Sequence, residues 1–253
     1  MALDEAVFRA NHGERIPPTL RFFCWAPPAV SLGYFQNTDE EIDVEVCRKR
    51  GIDIVRRPTG GKAVLHGQDL TYSVVAKETN PLFPKDILGT YRIIGRCIAE
   101  GLSSLGIDAV MSAGMRDTTD VLKAFCFSEP SRYELLVQGK KICGSAQARS
   151  HGAFLQHGSL LIDFDPIQDT SVIRSRLDSI QQSEQLRKTV TSVREHNNRV
   201  DTVTLCHALK TGFENVLGIH FIEDDLSPSE ERLKSELLAN KYTNPNWNID
   251  GKQ

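Results

Sequence analysis

Between residues 52 and 76 the sequence changes its pattern several times in quick succession, and this stretch restricts the fold more than any other. Ile52 to Arg57 alternates like a strand, stops at Pro58-Thr59-Gly60-Gly61, and returns to strand character over Ala63 to His66 and Leu70 to Ala76. This pattern predicts a strand, a tight turn and a strand pair, and it excludes an all-helical fold. The next segment has the opposite period. From Asp86 to Leu105 the apolar residues Ile87, Tyr91, Ile94, Ile98, Leu102 and Leu105 recur at helical spacing, and Gly106 ends the run.

The rest of the chain continues this alternation without repeats or low-complexity tracts, which points to an α+β (α/β) fold. Leu3, Ala6, Val7 and Ala10 predict a first helix ending near Asn11 to Gly13, followed by strands over Thr19 to Trp25 and Val30 to Phe35. Val44 to Arg50 reads as a short helix closed by Gly51, whose missing Cβ suits a left-handed position. Arg132 to Val137 and Lys141 to Ser145, joined at Gln138-Gly139-Lys140, read as a hairpin, with further strands over Ala153 to Phe164. Two late helices follow: one with Val203, Cys206, Leu209, Phe213 and Val216 along one face, the other opened by the capping box Ser227-Pro228-Ser229-Glu230. The polar stretch Gln181 to Arg199 is expected to be a mobile connection, since apolar residues are sparse there.

Charge and cysteine usage narrow the function. With 30 Lys+Arg against 33 Asp+Glu the chain has no basic excess for bulk nucleic acid, and no apolar run is long enough to span a bilayer. Without a secretory leader pattern at its start, the chain reads as cytoplasmic. Six cysteines stand singly at 24, 47, 97, 126, 143 and 206, with no C-x-x-C pair, so a zinc site is disfavoured and no metal is expected. Most such thiols are buried small hydrophobes.

Three segments are candidates for chemistry. In Arg56-Arg57-Pro58-Thr59-Gly60-Gly61-Lys62-Ala63-Val64-Leu65-His66, two glycines after a strand let the backbone approach a ligand. It is not a nucleotide P-loop, because no glycine stands five positions before Gly61. Taken alone it equally suits an ordinary turn beside a solvated arginine pair. Gly139-Lys140-Lys141-Ile142-Cys143-Gly144-Ser145-Ala146-Gln147 places a lysine before a patch of small residues, suited to a narrow channel or to a plain surface hairpin. Cys126, between Phe125 and Phe127 and shortly before Pro130, has a loop-like setting that suits a nucleophile, although taken alone a buried core cysteine is the commoner case.

In this order, and followed by Gln156-His157-Gly158-Ser159-Leu160, these segments resemble the lipoate-protein ligases and octanoyltransferases. The resemblance runs from Met1-Ala2-Leu3-Asp4-Glu5-Ala6 to Lys241-Tyr242 and Trp247-Asn248. Cys126-Phe127, Pro130-Ser131 and Tyr133-Glu134-Leu135 are similar to the branch of LipM-type octanoyl-[acyl carrier protein]:protein octanoyltransferases. The resemblance implies a biotin/lipoate protein ligase-like catalytic domain of mixed sheets flanked by helices. It would occupy residues 1–200, with 201–253 as a helical extension of the same domain. Members of the family usually begin with a strand ahead of the first helix, so the chain is expected to lack that strand.

The implied reaction takes octanoyl from acyl carrier protein to an enzyme cysteine and then to a lysine of a lipoyl domain such as glycine cleavage H protein. Cys126 falls where the family places the acyl-thioester cysteine, and Lys141 where it places the lysine that lowers the thiol pKa. A shift of ~1.5 units from ~8.5 would make about half the thiol ionised at neutral pH, worth ~2 kcal/mol. Arg56, Arg57, Thr59, Gly60, Gly61, His66, Gly144, Ser145, Ala146, His157 and Gly158 are the expected substrate-binding residues, with His66 or His157 moving the proton. Thioester exchange followed by amide formation runs downhill, so no cofactor is required. Arg56, Arg57, Lys140 and Lys141 are expected to steer the acidic partner proteins to the pocket mouth. Three other readings stand beside this one. An ATP-dependent lipoate ligase commonly has a glycine where this chain has Lys62, an amidotransferase would move octanoyl between lipoyl domains, and a binding module would have lost the chemistry.

Overall fold

A computed structural model of the chain describes residues 1–13, 16–112, 134–175 and 177–251. Its centre is a six-stranded antiparallel sheet in the order β1-β5-β9-β8-β7-β6, made of β1 (Thr19–Phe23), β5 (Asp69–Lys77), β6 (Val110–Met111), β7 (Leu135–Val137), β8 (Lys140–Ser150) and β9 (Ala153–Leu161). A smaller sheet has the order β3-β2-β4, from β2 (Ala29–Leu32), β3 (Asp53–Arg56) and β4 (Val64–His66). The expected α+β class with mixed sheets is what the chain forms.

The expectation for residues 52 to 76 needs one correction. β3 and β4 do not pair with each other: β3 lies parallel and β4 antiparallel to β2, one on each side. The turn at Pro58 to Gly61 therefore spans the width of a strand, and β5 leaves for the large sheet. Local alternation marks strands, but the inserted partner comes from residues earlier in the chain.

Helix α1 (Ala2–Gly13) covers one face of the large sheet, where Val7 and Phe8 meet Val75 and Leu155. The short helices α2 (Thr38–Glu41) and α3 (Val44–Arg50) follow β2, and Gly51 closes α3 at φ 65°, as its position implies. Helix α4 (Ile87–Ser103), capped by the Asp86 side chain on the Gly89 amide, covers the opposite face. It buries Ile94, Ile98 and Leu102 in the main core with Leu70, Tyr72, Phe154 and Leu160. After α5 (Pro166–Thr170), the stretch expected to be mobile forms α6 (Ser179–Thr189) and α7 (Val193–His196), with Leu186, Val190 and Val193 buried. These three residues, spaced four and three apart, are enough to hold a polar segment in place.

Helix α8 (Thr202–Leu217) packs on α4, but the buried face is Leu205, Ala208, Leu209, Gly212 and Phe213, and Val203 is exposed. The seam is rotated because Gly101 and Gly212 bring the two backbones together: a Cβ on Gly212 would lie 2.4 Å from the Cys97 carbonyl oxygen. Helix α9 (Pro228–Leu237) begins with the expected capping box, and a π-helical turn (Leu238–Tyr242) leads to α10 (Pro245–Asn248). Lys241 ties this end to α1, with its ammonium 2.9 Å from Glu5 and 3.7 Å above the Trp247 ring. No helix among the described residues is long and apolar enough to cross a membrane.

Candidate functional site

The loop after β3 is built around two arginines with different roles. Arg57 continues the parallel pairing, its amide donating to the Leu32 carbonyl at 2.8 Å. Its guanidinium then turns inward. One nitrogen donates to the backbone oxygen and the hydroxyl of Ser31 at 2.7 and 2.6 Å, and the other to the Gly60 and Lys62 carbonyls at 3.1 and 2.9 Å. A planar fork with fixed donors can hold the turn in one shape, and a lysine could not. The turn also rests on β2, since a Cβ on Gly33 would lie only 1.9 Å from the Gly61 oxygen. Gly61 itself has φ 94°, a conformation that glycine adopts without strain.

Arg56 is only 1% exposed and points away from this turn. It donates to the carbonyls of Trp247, Gly33, Gln36 and Ile249 and to the Thr38 hydroxyl, between 2.7 and 3.1 Å. This arrangement keeps Arg56 out of the pocket lining where substrate binding was expected of it, since its donors serve oxygens of the chain itself. Nor do the four expected steering residues form a charged surface rim: Arg56, Arg57 and Lys141 are all buried, and of the four only Lys140 lies near the surface, donating to the Arg187 carbonyl at 2.9 Å.

Beside Arg57, His66 is held at both ring nitrogens, Nδ1 2.7 Å from Asp69 and Nε2 2.7 Å from the Ser31 hydroxyl. Trp25 stacks on the ring with centroids 4.4 Å apart. The Asp69 carboxylate also accepts from Ser159 at 2.7 Å and from the Gly67 amide at 3.1 Å. Burial alone would raise this carboxyl, but the His66 ring and these donors more than offset it and hold the group below its ordinary value. Sequence reasoning missed Trp25, Ser31, Asp69 and Ser159. Asp69 left a signal, three residues after a histidine at the start of a strand, but alternation alone assigned it no partner.

The β8–β9 pairing supplies the opposite wall. Gly144 faces Ser159, Ser145 faces Gly158, and Ala146 faces His157. Together, Arg57, Gly61, His66, Gly144, Ser145, Ala146, His157 and Gly158 line one narrow pocket, joined by Trp25, Ser31 and Ser159. Thr59 stands behind it, its hydroxyl 2.6 Å from Nε2 of His157, while Gly60 contributes only its carbonyl to Arg57. The strand pair is tightly packed at Gly158, where a Cβ would lie 2.5 Å from both the Gly144 oxygen and the Tyr72 ring. A second cavity of about 360 Å³ shares His66, together with Leu65 and Asp69, and extends its lining to Arg50, Asp163, Phe164 and Gln168, which lie outside the candidate segments.

Ser145 is anchored to Tyr72 at 2.6 Å, and Gln156 donates to the same phenol at 3.1 Å. Lys141 lies on β8 outside the pocket lining, 1% exposed, with Nζ 2.5 Å from the Glu134 carboxylate. The β-bulge between Leu135 and Leu136 interrupts the alternation there, so that Ile142 and Cys143 both join the main core. Cys126 falls outside the described residues, as do Arg132 and Tyr133.

The five described cysteines are free, and every one has its thiol pKa raised, chiefly by burial. Cys143 is pushed up to about 12 by burial, against an opposing pull from Lys141, and Cys47 to about 11. None of these five is set up as a thiolate at neutral pH. No cluster of three or more His, Cys, Asp or Glu side chains among the described residues is placed to hold a metal.

Known proteins resemble the chain along nearly its whole length. The chain is 40% identical to octanoyltransferase LipM of Geobacillus kaustophilus and 38% identical to octanoyltransferase LipM of Bacillus subtilis, in each case over 98% of this chain and 92% of the relative. Among solved structures, lipoate-protein ligase A bound with ATP superposes with a TM-score of 0.81 at 32% identity, covering 98% of this chain and 92% of that one. A bi-partite lipoate protein ligase from Thermoplasma acidophilum, solved in a study that includes its E2 lipoyl domain, gives 0.83 at 30% identity, covering 100% and 91%. The kinship with acyltransferases read from the motifs is thus borne out. Residues 1–214 match the family described as the lipoyl protein ligase A/B catalytic domain, and the chain belongs to that family.

Proposed function

We propose that the protein is a cytoplasmic octanoyltransferase of lipoate assembly that carries the acyl group on Cys126. The thiolate attacks the thioester carbonyl of octanoyl-acyl carrier protein. A new C–S bond forms, the bond to the phosphopantetheine sulfur breaks, and the released thiolate takes a proton. The ε-amine of a lipoyl-domain lysine, such as that of glycine cleavage H protein, then attacks the enzyme thioester. A C–N bond forms, the bond to Cys126 breaks, and the proton lost from nitrogen returns to sulfur. The observation that carries this reading is the convergence of Arg57, Gly144, Ala146, His157 and Gly158 on one narrow pocket in a chain whose relatives are octanoyltransferases. The raised thiols of the five described cysteines support giving the nucleophile's role to Cys126.

Intact-mass measurement after mixing with octanoyl-acyl carrier protein tests the proposal. Wild type should gain one octanoyl group and Cys126→Ala none. An unmodified wild type together with full activity in Cys126→Ala would overturn it. The likeness to lipoate-protein ligase A bound with ATP favours a second reading, direct ligation of free lipoate. That reading requires pyrophosphate release with ATP and lipoate, independent of Cys126.

A further inference from the structure

The two pocket histidines differ in what they leave free. His66 has a partner at each ring nitrogen, Asp69 and Ser31. His157 is bonded through Nε2 to Thr59, while its Nδ1 is buried without a hydrogen-bond partner among the described residues. An orphaned polar atom on a buried ring that lines a pocket is costly unless a ligand completes it.

The hydrogen-bond inventory fixes which kind of ligand atom that is. The Thr59 hydroxyl is fully buried, and its only described partner is Nε2 of His157. Its proton is satisfied only if the hydroxyl donates to that nitrogen, so Nε2 is the acceptor and the ring proton sits on Nδ1. Burial, opposed in part by Asp4 and reinforced by Arg57 and His66, pushes the ring pKa down to about 3. The ring is therefore neutral at working pH and is too weak a base to shuttle protons.

We propose that His157 presents its Nδ1–H to the carbonyl oxygen of the acyl group in the pocket, as a fixed hydrogen-bond donor whose tautomer is set by Thr59. The inference rests on the proposed acyl transfer. As a thiolate or amine attacks, negative charge builds on that oxygen, and a donor already oriented in a dry site stabilises it without reorganising. No proton moves. When the C–S bond breaks, the electron pair on oxygen re-forms the C=O bond and the negative charge leaves on sulfur. A neutral imidazole used in this way is known in other enzymes. The small residues Gly144, Ala146 and Gly158 line the same pocket.

Three variants and one spectroscopic measurement test the proposal. His157→Asn places an amide nitrogen near the position of Nδ1, whereas His157→Gln places it near Nε2 and His157→Ala removes it. The rate of Cys126 acylation from octanoyl-acyl carrier protein should fall ~10²–10³-fold in His157→Ala and His157→Gln. His157→Asn should retain most of the activity. Equal rates in the Ala variant and wild type, or equal losses in Asn and Gln, would overturn the assignment. Nitrogen NMR of the wild-type protein should show a neutral ring protonated at Nδ1, with that resonance shifting when octanamide is added. A ring protonated at Nε2, an imidazolium near neutral pH, or no response to octanamide would equally overturn it. If the wild type is not acylated at all, the proposed function fails, and the tautomer and octanamide arms still decide the role of His157.

Discussion

Lys141 donates from Nζ to the Glu134 carboxylate across 2.5 Å, and both side chains are buried. Removing one partner of such a pair leaves a charge in the interior, at a cost of ~3–5 kcal/mol. Lys141→Met should therefore lower unfolding stability by about that amount, and the double variant Lys141→Met/Glu134→Gln should recover part of it in urea titrations. Strictly additive losses would show that the two groups do not act as a pair. If the ammonium also favours the Cys126 thiolate, the midpoint pH of Cys126 alkylation should rise towards ~8.5 in Lys141→Met.

Arg56 and Arg57 are adjacent, yet their substitution should be read out differently. Arg56 satisfies oxygens from two stretches of chain far apart in sequence and is absent from the pocket lining. Arg56→Lys cannot span them and should cost at least ~3 kcal/mol, seen as a lower melting temperature with little change in KM for the folded fraction. Arg57→Lys should change kcat and KM, because that side chain lines the pocket and shapes its loop. The reverse pattern would contradict the assigned roles.

The pocket glycines should separate in the same way. Gly158→Ala puts a Cβ 2.5 Å from the Gly144 oxygen and 2.8 Å from the Ser145 hydroxyl, so the β8–β9 pair must shift, at ~1–3 kcal/mol with loss of acyl transfer. Gly60→Ala meets nothing within 4 Å and should change stability little. Thermal melts and transfer rates on the two variants check this contrast.

His157 gives stability a pH dependence of defined sign. Burial holds the ring neutral, with its pKa pushed down to about 3, whereas in the unfolded chain it titrates near ~6.5. The unfolded state therefore binds the proton first. This contribution is complete above ~pH 6.5 and is lost as pH falls, by ~1.4 kcal/mol per unit, until about pH 3. The Asp69 carboxyl, held below its ordinary value, loses its contribution only at more acid pH. Between about pH 7.5 and about pH 5, wild type should lose ~2 kcal/mol more than His157→Asn. Parallel losses would show that His157 does not carry the effect.

The sequence was legible where one short segment fixes the outcome. Ile87 to Ser103 is helical because its apolar stripe and the Asp86 cap agree, and the pocket motifs were readable because glycines and histidines stand at defined offsets from strands. What escaped depends on residues far apart. β2 lies between β3 and β4, and nothing within residues 52 to 66 announces that insertion. Arg56 and Arg57 have the same local pattern, and only the return of the chain at Trp247 makes one structural and leaves the other for the pocket. Trp25 and Ser31 are unremarkable in sequence and acquire a role only through His66.

The bond from Arg56 to the Trp247 carbonyl joins positions 191 residues apart, and this separation has a kinetic consequence. Closing so long a loop costs chain entropy before any contact rewards it, so contacts of this kind form late. The β3–β2 junction, to which the pocket loop is fastened, is therefore among the last regions to settle during folding. Recovery of acyl transfer on refolding should lag behind recovery of helical signal, with the interval set by the docking of the Trp247 segment onto Arg56.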